Sequence, residues 1–318
     1  MDTLSLSGAT VAVTGGAGFI GSHLVRRLLA ERVARIVVLD SLRYGDPANL
    51  TACGAQVTLI PFTLGTDDPE RLRQHLTGVD YLFHLAAEKH NQSKDEPSWV
   101  LRANIEGTQH LYEAAGQAGI RRVVYSSSLY AYGRMNGPPF REDEIPAPKT
   151  VYGISKLAGE HLLRYAADRN GLSWNVVRFL FVYGPYQYAG QGYKSVILRN
   201  FERLLRGEAA IAYGDGGQIL DYVFVDDAVE ATLRALTCGV SSEVFNVGSG
   251  VGVRVIDLLE MMRKVSGRDV AIEHGPADWT AGSSRLGNVE KAHALLGWRA
   301  TTPLEEGLRQ TYAWIRAR

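Results

Sequence analysis

The feature that most narrows the possible folds is the passage from residue 11 to residue 29. Apolar Val11-Ala12-Val13 leads into Thr14-Gly15-Gly16-Ala17-Gly18-Phe19-Ile20-Gly21, and Ser22-His23-Leu24-Val25-Arg26-Arg27-Leu28-Leu29 follows. The order is a buried strand, a glycine turn and an amphipathic helix. Gly15 permits a sharp reversal. Gly18 lets bare backbone approach a pyrophosphate, and Gly21 lets the helix lie close to the strand. The helix N-terminus, with Phe19 and Ile20 in its first turn, offers free N–H groups and a positive dipole end to phosphates. A second apolar run, Arg35-Ile36-Val37-Val38-Leu39, ends in Asp40, about 20 residues beyond Gly21. A carboxylate there can hold both ribose hydroxyls of NAD, and it repels the extra phosphate of NADP. A glycine triplet alone is weak evidence; its place between a strand and a helix gives it weight.

Strand and helix patterns alternate through the first half. Further strands are expected at residues 55–60, 79–85, 122–126 and 174–179, and helices at 67–75, 97–117 and 151–168. Such alternation predicts a doubly wound α/β parallel sheet, Rossmann-like, with ligands beyond the carboxyl ends of the strands. The second half is more irregular. Residues 184–193 have loop chemistry, 194–206 and 226–237 read as helices, and 222–225 and 243–247 read as strands. Helical patterns at 255–266 and 289–296 follow. The expected division is a dinucleotide-binding domain over residues 1–180, rejoined by segments near 221–248. A smaller C-terminal α/β substrate domain spans mainly residues 181–318.

Charge excludes some partners. Lys plus Arg and Asp plus Glu both number 34, so the net charge is zero, which argues against nucleic acid or acidic membranes as partners. Cys53 and Cys238 are the only cysteines and have no metal-ligand spacing, so free thiols in a reducing compartment are expected. No metal site is expected from the histidines. No long apolar run and no charged leader stands out, which reads as a cytoplasmic protein.

Tyr152 and Lys156 lie one turn apart in a predicted helix and share a face. An ammonium beside a phenol is expected to lower the phenol's pKa from about 10 toward working pH. Such a phenol can exchange a proton with a sugar hydroxyl while hydride moves to or from NAD. Ser126, Ser127 and Ser128 end the preceding strand, where a hydroxyl can share charge developing on the reacting oxygen.

With these residues together, the chain resembles extended short-chain dehydrogenase/reductases of the NAD-dependent nucleotide-sugar epimerase/dehydratase family. Matching segments are Thr14–Gly21, His84-Leu85-Ala86-Ala87, Asn104-Ile105-Glu106-Gly107-Thr108, Ser126–Gly133, Tyr152–Lys156, Arg178–Pro185, Asp221–Asp227 and Leu296-Gly297-Trp298. The resemblance implies NAD as cofactor, a nucleotide-diphosphate sugar as substrate and a homodimer. It makes Ser128 the catalytic Ser/Thr, Tyr152 the acid/base and Lys156 the cofactor lysine. Leu64, Ala86, Ala87, Lys89, Asn104 and Ser126 complete the expected cofactor contacts, with Asn104 also bracing the site. Tyr130 and Lys89 are expected near the substrate.

The family's 4,6-dehydratases carry an Asp-Glu pair after the catalytic Thr, and its decarboxylases keep the Glu. Here those positions are Leu129 and Tyr130. A 4-epimerase needs only the Ser-Tyr-Lys set, so epimerisation is the expected reaction. A 4-ketoreductase is the alternative, ahead of a decarboxylase or dehydratase; a non-catalytic NAD-binding protein is a remoter one. Two departures bear on the substrate. The family's Asn in Arg-x-x-Asn is Phe181, and its Arg before Asp-Tyr is Leu220. Both normally help to hold the diphosphate. Lys194, Arg199 and Arg285 are candidate replacements, with Arg285 favoured. Tyr183, Tyr186, Tyr188 and Tyr193 are candidates for stacking on a base, and His90 reads as an ordinary loop residue.

Overall fold

The computed structural model describes residues 4–187 and 194–318; Tyr188 and Tyr193 lie outside them. The first six strands are β1 (Thr10–Thr14), β2 (Arg35–Asp40), β3 (Val57–Pro61), β4 (Tyr81–His84), β5 (Arg122–Ser128) and β6 (Ser173–Phe179). Next come β7 (Phe181–Tyr183), β8 (Ala210–Tyr213), β9 (Ile219–Phe224), β10 (Glu243–Val247), β11 (Gly252–Arg254), β12 (Ile272–Gly275) and β13 (Ser284–Arg285). A seven-stranded sheet runs in the order β10-β6-β5-β4-β1-β2-β3. All its pairings are parallel. The order reverses between β1 and β4, which opens a crevice beyond their carboxyl ends.

The helices are α1 (Phe19–Ala30), α2 (Pro69–Leu76), α3 (Gln92–Asp95), α4 (Pro97–Leu101), α5 (Gly107–Gln117) and α6 (Val151–Asn170), then α7 (Val196–Leu205), α8 (Val225–Thr237), α9 (Val255–Ser266), α10 (Glu290–Leu296) and α11 (Leu304–Arg316). Alternation along β1 sends Val11 and Val13 into a core shared with Leu24, Leu28 and Val229 of α1 and α8. Ala12 faces the other core, with Leu72, Leu111 and Leu163 of α2, α5 and α6. Burying both faces explains why these strands read as unbroken apolar runs.

Two expectations need correction. The helix over 97–117 is interrupted by one turn of π-helix at Arg102–Glu106. A Cβ on Gly107 would lie 2.5 Å from the Gly65 nitrogen, so the loop after β3 presses on this turn. The return of residues 221–248 to the first domain also fails at its start. Strand β9 pairs with β7, β11 and β13 in a four-stranded sheet. The cause is β7, which leaves the main sheet at Leu180 and takes Tyr222 beside Phe181. Helix α8 and β10 do lie against the main sheet. A third sheet joins β8 and β12. Among the described residues no helix is long and apolar enough to cross a membrane.

Candidate active site

The glycine turn sits at the crevice. Gly15 has φ +73°, and a Cβ there would come within 2.8 Å of the Ala86 nitrogen. A Cβ on Gly21 would strike the Gly15 carbonyl. Gly18 caps α1, and a Cβ on it would meet only the Gly15 oxygen at 3.2 Å. Its outer side is therefore open to a phosphate. Phe19 and Ile20 begin α1, their rings and chains partly buried against the core. Asp40 ends β2 and is 5% exposed; its carboxylate accepts from Ala17 N–H at 2.9 Å and Leu42 N–H at 2.8 Å. Burial raises its pKa, and those backbone bonds oppose the rise. Nearby Arg43 is engaged by Glu96 at 3.1 Å and lies over the Tyr44 and Trp99 rings. Free lone pairs on Asp40 and an already engaged Arg43 suit ribose hydroxyls better than a 2′-phosphate. This cradle fits a dinucleotide.

The loop after β4 forms the opposite wall. Ala86 N–H donates to Thr14 Oγ1 at 3.2 Å, and Ala86 and Ala87 are half-buried. Leu64 is buried against Gly107. Asn104 points inward from the π-helical turn. Its Oδ1 accepts from Glu88 N–H at 2.7 Å, and its Nδ2 donates to the Glu88 carbonyl and to Ser155 Oγ, both at 3.1 Å. Ser155 Oγ in turn donates to the Tyr152 carbonyl at 2.8 Å. Asn104 thus ties this loop to α6, using both ends of its amide on protein groups. A π turn commonly marks a functional position. Lys89 lies 3.9 Å from the centre of the Tyr44 ring.

Strand β5 and helix α6 carry the reactive groups. Ser126 and Ser128 are each 7% exposed at the strand end, and Ser128 Oγ accepts from Tyr130 N–H at 3.3 Å. Tyr152 and Ser128 share a hydrogen bond. Lys156 is 2% exposed, its ammonium 4.6 Å from the Tyr125 ring centre. The expected lowering of the phenol's pKa is not what the site imposes. Burial pushes Tyr152 up to about 12, against the pull of Ser128. Burial also draws Lys156 down to about 7, opposed by Glu160. Both charged forms lose hydration here, and that cost outweighs their mutual attraction.

Lys156 supplies a pH prediction. The lysine value in an unfolded chain is about 10.4. Between about 7 and 10 the unfolded chain then holds a proton that the folded one lacks, so stability rises with pH across that window. Lys156→Met should flatten the rise in protein stripped of nucleotide. Urea melts at about pH 7 and pH 9.5 measure it; an unchanged slope would contradict the burial argument.

Glu160, one turn beyond Lys156, is 1% exposed. It accepts from Ser127 Oγ at 2.5 Å and from Arg178 Nε and Nη2 at 2.9 and 2.7 Å. Arg178 lies 4.7 Å from the Tyr132 ring centre, and Tyr132 donates to Asn246 at 2.7 Å. One carboxylate therefore joins the strand end beside Ser128, the helix of Tyr152 and Lys156, and β6.

Residues 11–248 match the model of the NAD dependent epimerase/dehydratase family. The chain belongs to that family. A UDP-glucose 4-epimerase of Mycolicibacterium smegmatis is 35% identical over 313 residues, spanning 96% of this chain and 97% of the relative. A dTDP-glucose 4,6-dehydratase of Streptomyces griseus is 32% identical over 308 residues, spanning 95% and 92%. The crystal structure of Thermotoga maritima UDP-glucose 4-epimerase with UDP-glucose is 35% identical, with TM-score 0.90 over 97% of this chain and 99% of that one. As an NAD-dependent epimerase/dehydratase, this enzyme departs from its family at Phe181 and Leu220, and the structure shows what stands there. Arg285 pairs in register with Leu220, and its guanidinium lies 4.7 Å from the Phe181 ring centre. It is 2% exposed, and its Nε has no hydrogen-bond partner among the described residues. Lys194, by contrast, is doubly bonded to Glu202 at 2.8 and 2.6 Å, and Arg199 lies over Tyr213 at 4.5 Å. Among the tyrosines expected near a base, Tyr183 is buried in the core and Tyr186 rests between Arg26 and Trp314.

Two residues near Tyr152 escaped the sequence reading. His90 is stacked between Tyr130, with centroids 4.2 Å apart, and Trp279, at 5.4 Å. Both His90 and Tyr130 stand edge-on to Tyr152, at 6.0 and 5.8 Å. Positions 90, 130 and 279 carry no shared spacing, so only the tertiary fold brings them together.

Proposed function

We propose that this enzyme is a 4-epimerase of a nucleotide-diphosphate sugar. The observation that carries the reading is the Ser128–Tyr152–Lys156 set with Leu129 and Tyr130, rather than carboxylates, beside it. Elimination or decarboxylation chemistry draws on an acid at those positions, whereas oxidation and reduction at C4 does not. NAD, when bound, supplies the hydride acceptor and donor at C4. Tyr152 removes the proton from the C4 hydroxyl and returns it to the opposite epimer. Ser128 holds the reacting oxygen throughout and shares its charge. Lys156, as an ammonium, favours the ionised phenol. Rotation of the ketone between the two steps inverts C4.

Arg285 serves as the diphosphate anchor in place of the absent Asn and Arg. A buried guanidinium without a carboxylate is costly unless an anion meets it. The Phe181 ring aligns it by a cation–π contact. Arg285→Met is expected to raise KM for the nucleotide sugar about 10–100-fold, the range of a lost charged hydrogen bond, with kcat less affected. An unchanged KM would remove Arg285 from this role. Helix α6 leaves Ile154 and Tyr165 exposed, at 46% and 55%, and this face suits pairing with a second copy.

The test is direct. Purified protein is denatured, its released cofactor identified by mass spectrometry, and fresh protein is incubated with UDP-glucose and UDP-galactose under proton NMR. Retained NAD with interconversion of the two C4 epimers supports the reading. Loss of C6 hydroxyl signal, or turnover only with added NADH, points to dehydratase or ketoreductase activity and overturns it.

A further inference from the structure

We infer that His90 is a specificity-determining residue, whose Nε2 accepts a hydrogen bond from a sugar hydroxyl close to the reacting carbon. The inference rests on the proposed function only in taking the ligand to be a nucleotide sugar.

The backbone of His90 is held in place. Ser93 Oγ donates to its carbonyl at 2.6 Å and Ser93 N–H at 3.2 Å, and two residues upstream Glu88 is clamped by Asn104. The ring is fixed between Tyr130 and Trp279. Its Nδ1 faces Asn91 Oδ1 at 3.4 Å. An amide oxygen only accepts, so Nδ1 carries the hydrogen and Nε2 is left as an acceptor. That Nε2 is buried and has no partner among the described residues. An unsatisfied buried acceptor is unfavourable, which makes it a site awaiting a donor. The imidazole remains neutral, since burial brings its pKa down to about 4, and Lys94 and Arg285 also disfavour a second proton. It therefore stays an acceptor at working pH.

Position supplies the rest. The ring stands 6.0 Å from that of Tyr152, and its stacking partner Tyr130 meets Arg285, whose Nη1 donates to the phenol oxygen at 3.5 Å. A sugar with its C4 oxygen on Tyr152 and its phosphate on Arg285 spans this wall. The Trp279 indole covers the outer face of the wall and is half exposed, at 51%, in the connection between β12 and β13.

The test reads binding rather than turnover. UDP, UDP-glucose, and UDP-glucose analogues lacking the hydroxyl at C2, C3 or C6 are titrated by calorimetry into NAD-loaded Tyr152→Phe protein, with and without His90→Phe. Phenylalanine keeps the stack and removes the acceptor. The expected result is unchanged affinity for UDP and about tenfold weaker binding of UDP-glucose. One deoxy analogue should bind both proteins alike, identifying the hydroxyl. His90→Gln, which keeps an acceptor oxygen, should recover part of the loss. Equal affinity of both proteins for UDP-glucose, or an equal loss for UDP alone, overturns the inference. A protein that binds UDP-glucose through His90 but leaves C4 untouched overturns the epimerase reading alone.

Discussion

Replacing Tyr152 by phenylalanine should lower kcat by about 10²–10⁴-fold, the range lost with a general acid/base. The NAD content and the melting temperature should stay close to those of the wild type. Phenylalanine keeps the edge-on ring contacts with His90 and Tyr130 and removes only the hydroxyl bonded to Ser128. A single-turnover assay on both proteins separates the chemical step from binding. Retained turnover in the variant would mean that another group moves the proton, and the assignment of the whole set would fall with it.

Glu160→Gln should destabilise the protein by about 3–5 kcal/mol, the usual result of leaving one member of a buried ion pair alone. Arg178 is 2% exposed, and its Nη1 has no partner among the described residues even in the intact pair. Losing the carboxylate strands its charge among Tyr132 and the strand backbones. The double variant Glu160→Gln, Arg178→Met has no charge left to strand and should recover most of the loss. Urea denaturation of the three proteins measures this. A single variant as stable as the wild type would show that water or rearrangement already satisfies Arg178. Turnover adds information, because Ser127 and Ser128 are adjacent and Glu160 holds only the first. Loosening that strand end should lower kcat more than it raises KM.

Much of the nucleotide-binding half was legible from local pattern. Strand periodicity, the glycine turn and Asp40 each depend on neighbours close in sequence, and all three occupy the positions expected. The family's Ser-Tyr-Lys residues were legible for the same reason, since one strand end and one helical turn contain them. What was not legible depends on partners far along the chain. The short strands β8, β11, β12 and β13 have two to four residues each, too few to show a period. Strand β9 reads like any buried strand, and nothing in it reveals which sheet it joins. The effect of Lys156 on Tyr152 was misjudged because helical spacing reports proximity but not hydration. Phe181 looked like a lost contact; with Arg285 above it, the ring holds the guanidinium instead.

The extra residue accommodated at Arg102–Glu106 has a consequence for what evolution or engineering can do with this helix. Each residue turns an α-helix by about 100°, so shortening this stretch by one would rotate everything after it by that angle. Leu111 and Tyr112, both fully interior, would swing away from the sheet together. Asn104 and the hydrophobic face of α5 are therefore phase-locked: the bulge that aims one amide also sets the orientation of the following three turns. Loss of the insertion would register first as a folding defect, with loss of chemistry following from it.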